Sequence, residues 1–265
     1  MGHREGGSVP VPGARLIPTE RLAANTAFAY GIFAGRGGRR WQQDPDVSIA
    51  DGGLTVPFVM NHVAPLRAEL DVASVARRAD AFFDGRPYQI WDAWAEHDWS
   101  PQGLARRSQP PAMVRPADAE RAPAPADLEI AEVVDAAGIR SFERTLISAF
   151  EMKRVSADIP GILFTAAHLG DPRVRFWLGS VAGEPVATAW SSVSDGLVGI
   201  YGVATKRSMR GRGYGTAVTR AAIDARADLP AYLQATVMGL PVYERMGFER
   251  VGLCSVWQRP ESAQA

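Results

Sequence analysis

The chain has 265 residues, enough for two domains with sizeable cores, and its 29 basic and 29 acidic side chains cancel. A balanced chain has no global field to recruit nucleic acid or an anionic membrane, and a single cysteine, Cys254, excludes an internal disulfide and suits a reducing compartment. No apolar stretch reaches the length of a membrane span, and Met1 to Gly13 lacks the apolar centre of a secretion signal, so we expect a soluble cytoplasmic protein with neither nucleic acid nor membrane as partner.

In chain order, the first twenty residues are rich in Gly and Pro and read as poorly ordered. Leu22 to Phe33 is apolar without breakers, which fits a helix or a strand equally. Gly35 to Arg40 reads as a solvated turn; apart from Trp41 it lacks the aromatics of an RNA-binding loop. Leu54 to Met60 reads as a strand with Pro57 at an edge or bulge. Asp71 is placed to cap a helix over Val72 to Phe83, whose apolar residues fall on one stripe. Gly85 and Pro87 end it, Tyr88 to Trp91 reads as a strand, Ser100-Pro101 opens a short helix to Arg107, and Ala112 to Val114 is a second short strand. Trp91, Trp94 and Trp99 with Tyr88 read as a half-buried core cluster, or else as the lining of an acceptor pocket.

Arg115 to Ala126, with Pro116, Pro123 and Pro125, is the best linker in the chain, so we expect units at 1–115 and 127–265 joined by 116–126. Beyond it, Leu128 to Val134 reads as a strand, Asp135 caps a helix carrying Ile139, Phe142, Leu146, Ala149 and Phe150, and Asp158-Ile159-Pro160 opens another helix running to His168. A meander follows: Val174 to Val181, Pro185 to Val193 and Leu197 to Thr205, with turns at Ala182-Gly183-Glu184 and Asp195-Gly196. The rest is a helix after Gly215, a strand at Tyr232 to Val237, a helix at Leu240 to Met246 and a last strand from Phe248 to Gln258.

The organising stretch is Gly199 to Thr216, an apolar β-branched run followed by glycines at 211, 213 and 215 and then a helical pattern. Strand, stripped loop and helix N-terminus make an anion site, with a phosphate ester as its natural guest. No Lys-Ser or Lys-Thr pair follows the glycines, which excludes a nucleotide triphosphate loop, and the third glycine comes one position early for a dinucleotide fingerprint.

Arg210, Gly213 and Gly215 supply the spacing Arg/Gln-x-x-Gly-x-Gly/Ala, and Tyr243-Glu244-Arg245-Met246-Gly247-Phe248 follows about thirty residues on. Together these resemble the acetyl-CoA pyrophosphate loop and the "YerxGF" signature of the GNAT N-acetyltransferase superfamily. The resemblance implies an α/β (α+β) GNAT fold, a mixed, largely antiparallel sheet with flanking helices, extending back to roughly Asp127. The first half has the same strand and helix order without a glycine loop; it resembles a degenerate GNAT repeat, the alternative being an unrelated extension packed on the sheet.

By the same resemblance, Val203 and Thr205 would pair with the pantetheine arm through their backbones. The amides of Gly211, Arg212, Gly213, Tyr214, Gly215 and Thr216 would hold the pyrophosphate, with charge from Arg210 and Arg212. Thr236 stands where many members have Asn or Ser beside the pantetheine. Tyr243 would be the general acid for the CoA thiolate. The implied activity is acetyl transfer from acetyl-CoA to a primary amine, on a small molecule or peptide; the alternative is a non-catalytic acyl-CoA sensor. A general base is not identifiable, since Ile200-Tyr201-Gly202 offers no carboxylate; Tyr201, His168 and Asp195 are candidates. Cys254 reads as a buried structural thiol, and His62 and His97 show no metal spacing. An edge strand near the C-terminus would allow a homodimer.

Overall fold

A computed structural model describes residues 17–53, 60–117, 123–152 and 155–259. The first element, α1 (Thr19–Arg36), settles the ambiguity of the first apolar run. It lies between two sheets, against β2 (Val47–Ala50) and β3 (His62–Pro65) on one side and β9 (Glu184–Ser194) and β10 (Leu197–Thr205) on the other. Burial on both sides explains the sequence pattern, because a helix covered all round has no polar face to give it a period.

The remaining strands are β1 (Trp41–Gln43), β4 (Tyr88–Asp92), β5 (Ala105–Ser108), β6 (Pro111–Arg115), β7 (Glu129–Glu132), β8 (Val174–Val181), β11 (Ala231–Gln234), β12 (Glu249–Leu253) and β13 (Ser255–Arg259). The helices are α2 (Val72–Phe83), α3 (Ala136–Ala149), α4 (Tyr214–Asp224) and α5 (Leu240–Arg245). Six strands form one sheet in the order β1-β2-β3-β4-β13-β5; seven form the other, β12-β6-β11-β10-β9-β8-β7. Among the described residues only β3–β4 and β10–β11 pair in parallel. Aligned on those pairs, β1-β2-β3-α2-β4 and β8-β9-β10-α4-β11 are the same unit, each preceded by a helix, α1 or α3.

The units exchange their last strands. β13 inserts between β4 and β5, and β6 inserts between β11 and β12. The expected boundary at 116–126 falls between β6 and β7, with residues 118–122 outside the described ones, and β6 and β13 both cross it. The single strand expected from Phe248 to Gln258 is therefore two strands in different sheets, parted at Cys254, which is fully buried where the chain crosses over.

Two other expectations are corrected. The helix expected from Ser100 to Arg107 stops after one 3-10 turn at Ser100–Gln102, because Gly103 takes a left-handed conformation and sends the chain into β5. The helix expected from Asp158 to His168 is replaced by turns and a short 3-10 segment, Ala166–Gly170. The physical reason is Glu143 of α3, a buried carboxylate that accepts from the amides of Gly161, Leu163 and Phe164 at 2.9, 2.6 and 2.9 Å. Those donors are unavailable to a helix ladder. The strand expected over Leu54 to Met60 falls mostly on residues 54–59, outside the described ones.

Elsewhere local chemistry and fold agree. Asp71 and Asp135 cap α2 and α3 by accepting from Ser74 and Gly138. Ala182-Gly183 and Asp195-Gly196 each place two residues at positive φ, the geometry of a two-residue hairpin. α2 lays Val75, Ala76, Ala79, Phe82 and Phe83 on the outer face of the first sheet, and α4 covers the outer face of the second. Of the aromatic cluster, Tyr88 and Trp99 belong to the first of these cores, while Trp91, on the opposite face of β4, stacks near His62 with ring centroids 6.1 Å apart.

Candidate active site

β10 and β11 are in register only at Val198–Ala231 and Gly199–Tyr232, after which they part. On its other side β10 loses register with β9 between Tyr201 and Ala204, where Gly202 takes φ +57°. This bulge bends β10 away from β11 and leaves Val203 out of register with β9. Val203 packs on the core that lies under α4, and Thr205 ends the strand with its hydroxyl facing Gly215.

The chain then makes a 3-10 turn at Arg207–Met209 and enters α4 through Gly211 and Gly213, at φ +79° and +82°. No side chain caps α4, so its first-turn amides, from Tyr214, Gly215 and Thr216, point outward from a helix N-terminus. A Cβ at 211 would meet nothing within 4 Å. A Cβ at 213 would touch Pro125 Cγ at 3.4 Å, and residues 211 to 213 are all exposed in front of the helix.

The side chains of the loop do different work. Arg210 is a strut: Nε donates to the Thr205 carbonyl at 3.1 Å and Nη2 to the Ala149 carbonyl at 2.9 Å, joining the loop to the ends of β10 and α3. Arg212 is exposed. Tyr214 is buried, and its hydroxyl donates to Asp127 at 2.5 Å, fixing the first turn of α4 to the segment before β7. Asp127 was not singled out in the sequence, which carries no local signal for a contact 87 residues distant.

Thr236 stands where β11 ends, and its Oγ1 accepts from the Gly239 amide at 3.1 Å, shaping the turn into α5. Tyr243, on α5, packs on the same core as Val203 and sets its ring edge-on to Phe248 with centroids 5.7 Å apart. Its hydroxyl makes no hydrogen bond among the described residues, and burial pushes its pKa up to about 12. A pKa raised in this way favours the protonated phenol at neutral pH.

The three base candidates are accounted for separately. His168 Nδ1 accepts from the Thr165 amide at 2.9 Å, leaving Nε2 to donate to the Phe33 carbonyl at 3.0 Å; both nitrogens are occupied and burial lowers its pKa. Asp195 is exposed in the β9–β10 turn. Tyr201 lies beside the opening strands, but its hydroxyl donates to Asn25 of α1 at 2.7 Å. Around it stand Tyr30 of α1, Tyr232 of β11 and, through Tyr30, His62 of β3, whose Nε2 is buried without a partner among the described residues. Asn25, Tyr30 and Tyr232 were not foreseen; the polar pair Asn25-Thr26 inside an apolar run was the available signal.

Residues 140–248 match the family described as Acetyltransferase (GNAT). Among solved structures, a GCN5-related N-acetyltransferase from Kribbella flavida is similar over 95% of this chain and 98% of its own, at 21% identity and a TM-score of 0.65. An acetyltransferase of the GNAT family from Novosphingobium aromaticivorans covers 91% and 99%, at 14% identity and a TM-score of 0.58. A GCN5-related N-acetyltransferase-like protein from Streptococcus suis covers 91% and 98%, at 18% identity and a TM-score of 0.52. At these identities the likeness is one of fold, and it spans both halves. No curated protein matches the chain.

Proposed function

Because residues 140–248 match the acetyltransferase (GNAT) family, we propose that this protein transfers an acetyl group from acetyl-CoA to a primary amine. The observation that carries the reading is the bare loop at the uncapped N-terminus of α4, set beside the parting of β10 and β11. The amides from Gly211 to Thr216 would hold the pyrophosphate, and the backbone of Val203 and Thr205 the pantetheine arm. Arg212 would add charge, and Arg210 would keep the loop in shape rather than face the phosphates. Thr236 would support the wall formed by α5. The bound cofactor supplies an acetyl thioester.

Tyr243 Oη holds a proton suited to a departing thiolate. A free thiol has a pKa near 8.5 and burial raises that of Tyr243 to about 12, so the transfer requires a thiolate held desolvated and in line with the phenol. The amine nitrogen takes the place of sulfur on the acetyl carbon, and the proton it sheds restores the phenol through solvent.

One observation favours a second reading, an acyl-CoA-binding protein without turnover: among the described residues, none of the three base candidates is both free and placed at the strand opening. Thermal unfolding with acetyl-CoA, against ATP and NAD, separates cofactor binding from none. Ligand at 100 times its dissociation constant adds about 2.7 kcal/mol, a shift of several degrees. Free-thiol release with an amine present separates transferase from sensor. No helix among the described residues is long and apolar enough to cross a membrane, and a soluble, cytoplasmic acceptor chemistry is part of the same proposal.

A further inference from the structure

Tyr201 and Asn25 carry an inference that rests on the transferase reading. Asn25 is fully buried on α1, a helix of the first half, and its amide is oriented from both ends. Nδ2 donates to the Ser194 carbonyl at 3.2 Å and the Ser192 carbonyl at 3.3 Å, which obliges Oδ1 to face the other way, where it receives the Tyr201 hydroxyl at 2.7 Å. Gly199 makes room for this pair: a Cβ there would lie 2.0 Å from Asn25 Oδ1 and 2.7 Å from Tyr201 Oη. Gly199 is also the last residue of β10 in register with β11, so the pair sits at the point where the strands part. Stacking on Trp190, centroids 4.7 Å apart, fixes the ring.

The phenol proton is committed to Asn25 and the Thr26 hydroxyl of α1 also bonds the same oxygen, so what Tyr201 can offer a substrate is its remaining lone pair. We propose that Tyr201, positioned by Asn25, accepts a hydrogen bond from the attacking amine, and that the acceptor is an amine that arrives uncharged, an α-amino or aryl amine, rather than an alkylammonium. An oxygen that already donates its own proton elsewhere cannot remove one from an ammonium, but it can orient an N–H while the nitrogen lone pair points at the acetyl carbon. The titratable groups facing Tyr201 are Tyr30 of α1, Tyr232 of β11 and Asp195 of the turn. Burial and these neighbours hold its pKa well above the usual phenol value, which favours the neutral phenol over a tyrosinate.

The test compares glycinamide, 4-methoxyaniline and Nα-acetyl-lysinamide as acceptors by free-thiol release. At pH 7 the α-amine should exceed the lysine ε-amine in kcat/KM on the order of 10²-fold, the ratio of their neutral fractions. For each amine kcat/KM should rise with pH and level off at that amine's own pKa; one break shared by all three would reveal a base in the protein and overturn the proposal. Tyr201→Phe, which keeps the ring, should raise the KM for glycinamide roughly tenfold and leave the KM for acetyl-CoA unchanged. Asn25→Leu should do the same, and the double variant should match Tyr201→Phe alone. An unchanged amine KM in Tyr201→Phe, or effects that multiply in the double variant, would sink the assignment; thermal midpoints check that each variant is folded. No thiol release with any amine, while acetyl-CoA still raises the wild-type midpoint, would overturn the transferase reading and this proposal with it.

Discussion

The two halves build the same strand–helix–strand corner and use it differently. Between β3 and α2 the chain reads Leu66 to Asp71, and the Asp71 carboxylate turns in to accept from Ser74, satisfying the helix N-terminus from within. Between β10 and α4 the corresponding segment ends in Gly211-Arg212-Gly213, and the N-terminus of α4 is left without a side-chain cap. A carboxylate seated on the first turn of a helix repels a second anion, whereas two glycines in left-handed conformations leave the same donors uncovered. A single corner geometry thus gives a helix N-terminus capped from within in one half and one left open in the other.

The largest expected effect tests this contrast directly. Gly211→Val and Gly213→Val should each remove the stabilisation by acetyl-CoA altogether, with a loss of stability from strain at φ +79° and +82°. Either variant keeping the wild-type shift would mean that the ligand does not use this corner. Next, Tyr243→Phe should lower kcat by about 10²-fold with acetyl-CoA affinity unchanged, measured by initial rates and by thermal shift; full activity would make the tyrosine a core aromatic.

The first half carries two histidines whose responses to pH oppose each other. His62 of the first sheet is stacked on Tyr30 with centroids 3.9 Å apart, and burial pushes its pKa down to about 3. Below about pH 6.5 the unfolded chain binds a proton that the folded one refuses, so this histidine subtracts stability as pH falls, on the order of 2 kcal/mol between pH 7 and 5. Replacing it with Gln should flatten that part of the profile in urea titrations. His97 should act in the opposite sense. Its Nδ1 faces the Asp92 carboxylate at 2.7 Å and its Nε2 the Ala68 carbonyl at 2.6 Å, which raises its pKa; the stability it contributes is present below pH 6.5 and lost as pH rises through the raised value. The smallest effect is at the corner of the first half, where Asp71→Ala should cost about 1 kcal/mol of unfolding free energy and leave the acetyl-CoA shift intact.

What the sequence by itself determined is local. The capping aspartates of α2 and α3, the left-handed turn pairs of the meander and the glycines ahead of α4 act within a few residues, and each could be read from spacing alone. The loop and Tyr243 lie in one continuous stretch, so the cofactor side of the site was legible as a resemblance. What only the tertiary structure decided depends on partners far away in the chain. α1 lost its period because both sheets cover it. Residues 158–165 lost a helix because Glu143 takes their amides, and β6 and β13 joined each other's sheets because an edge strand pairs with whichever neighbour the packing presents. The pairing of Asn25 with Tyr201 arises in the same way, across 176 residues, a contact that no local pattern encodes.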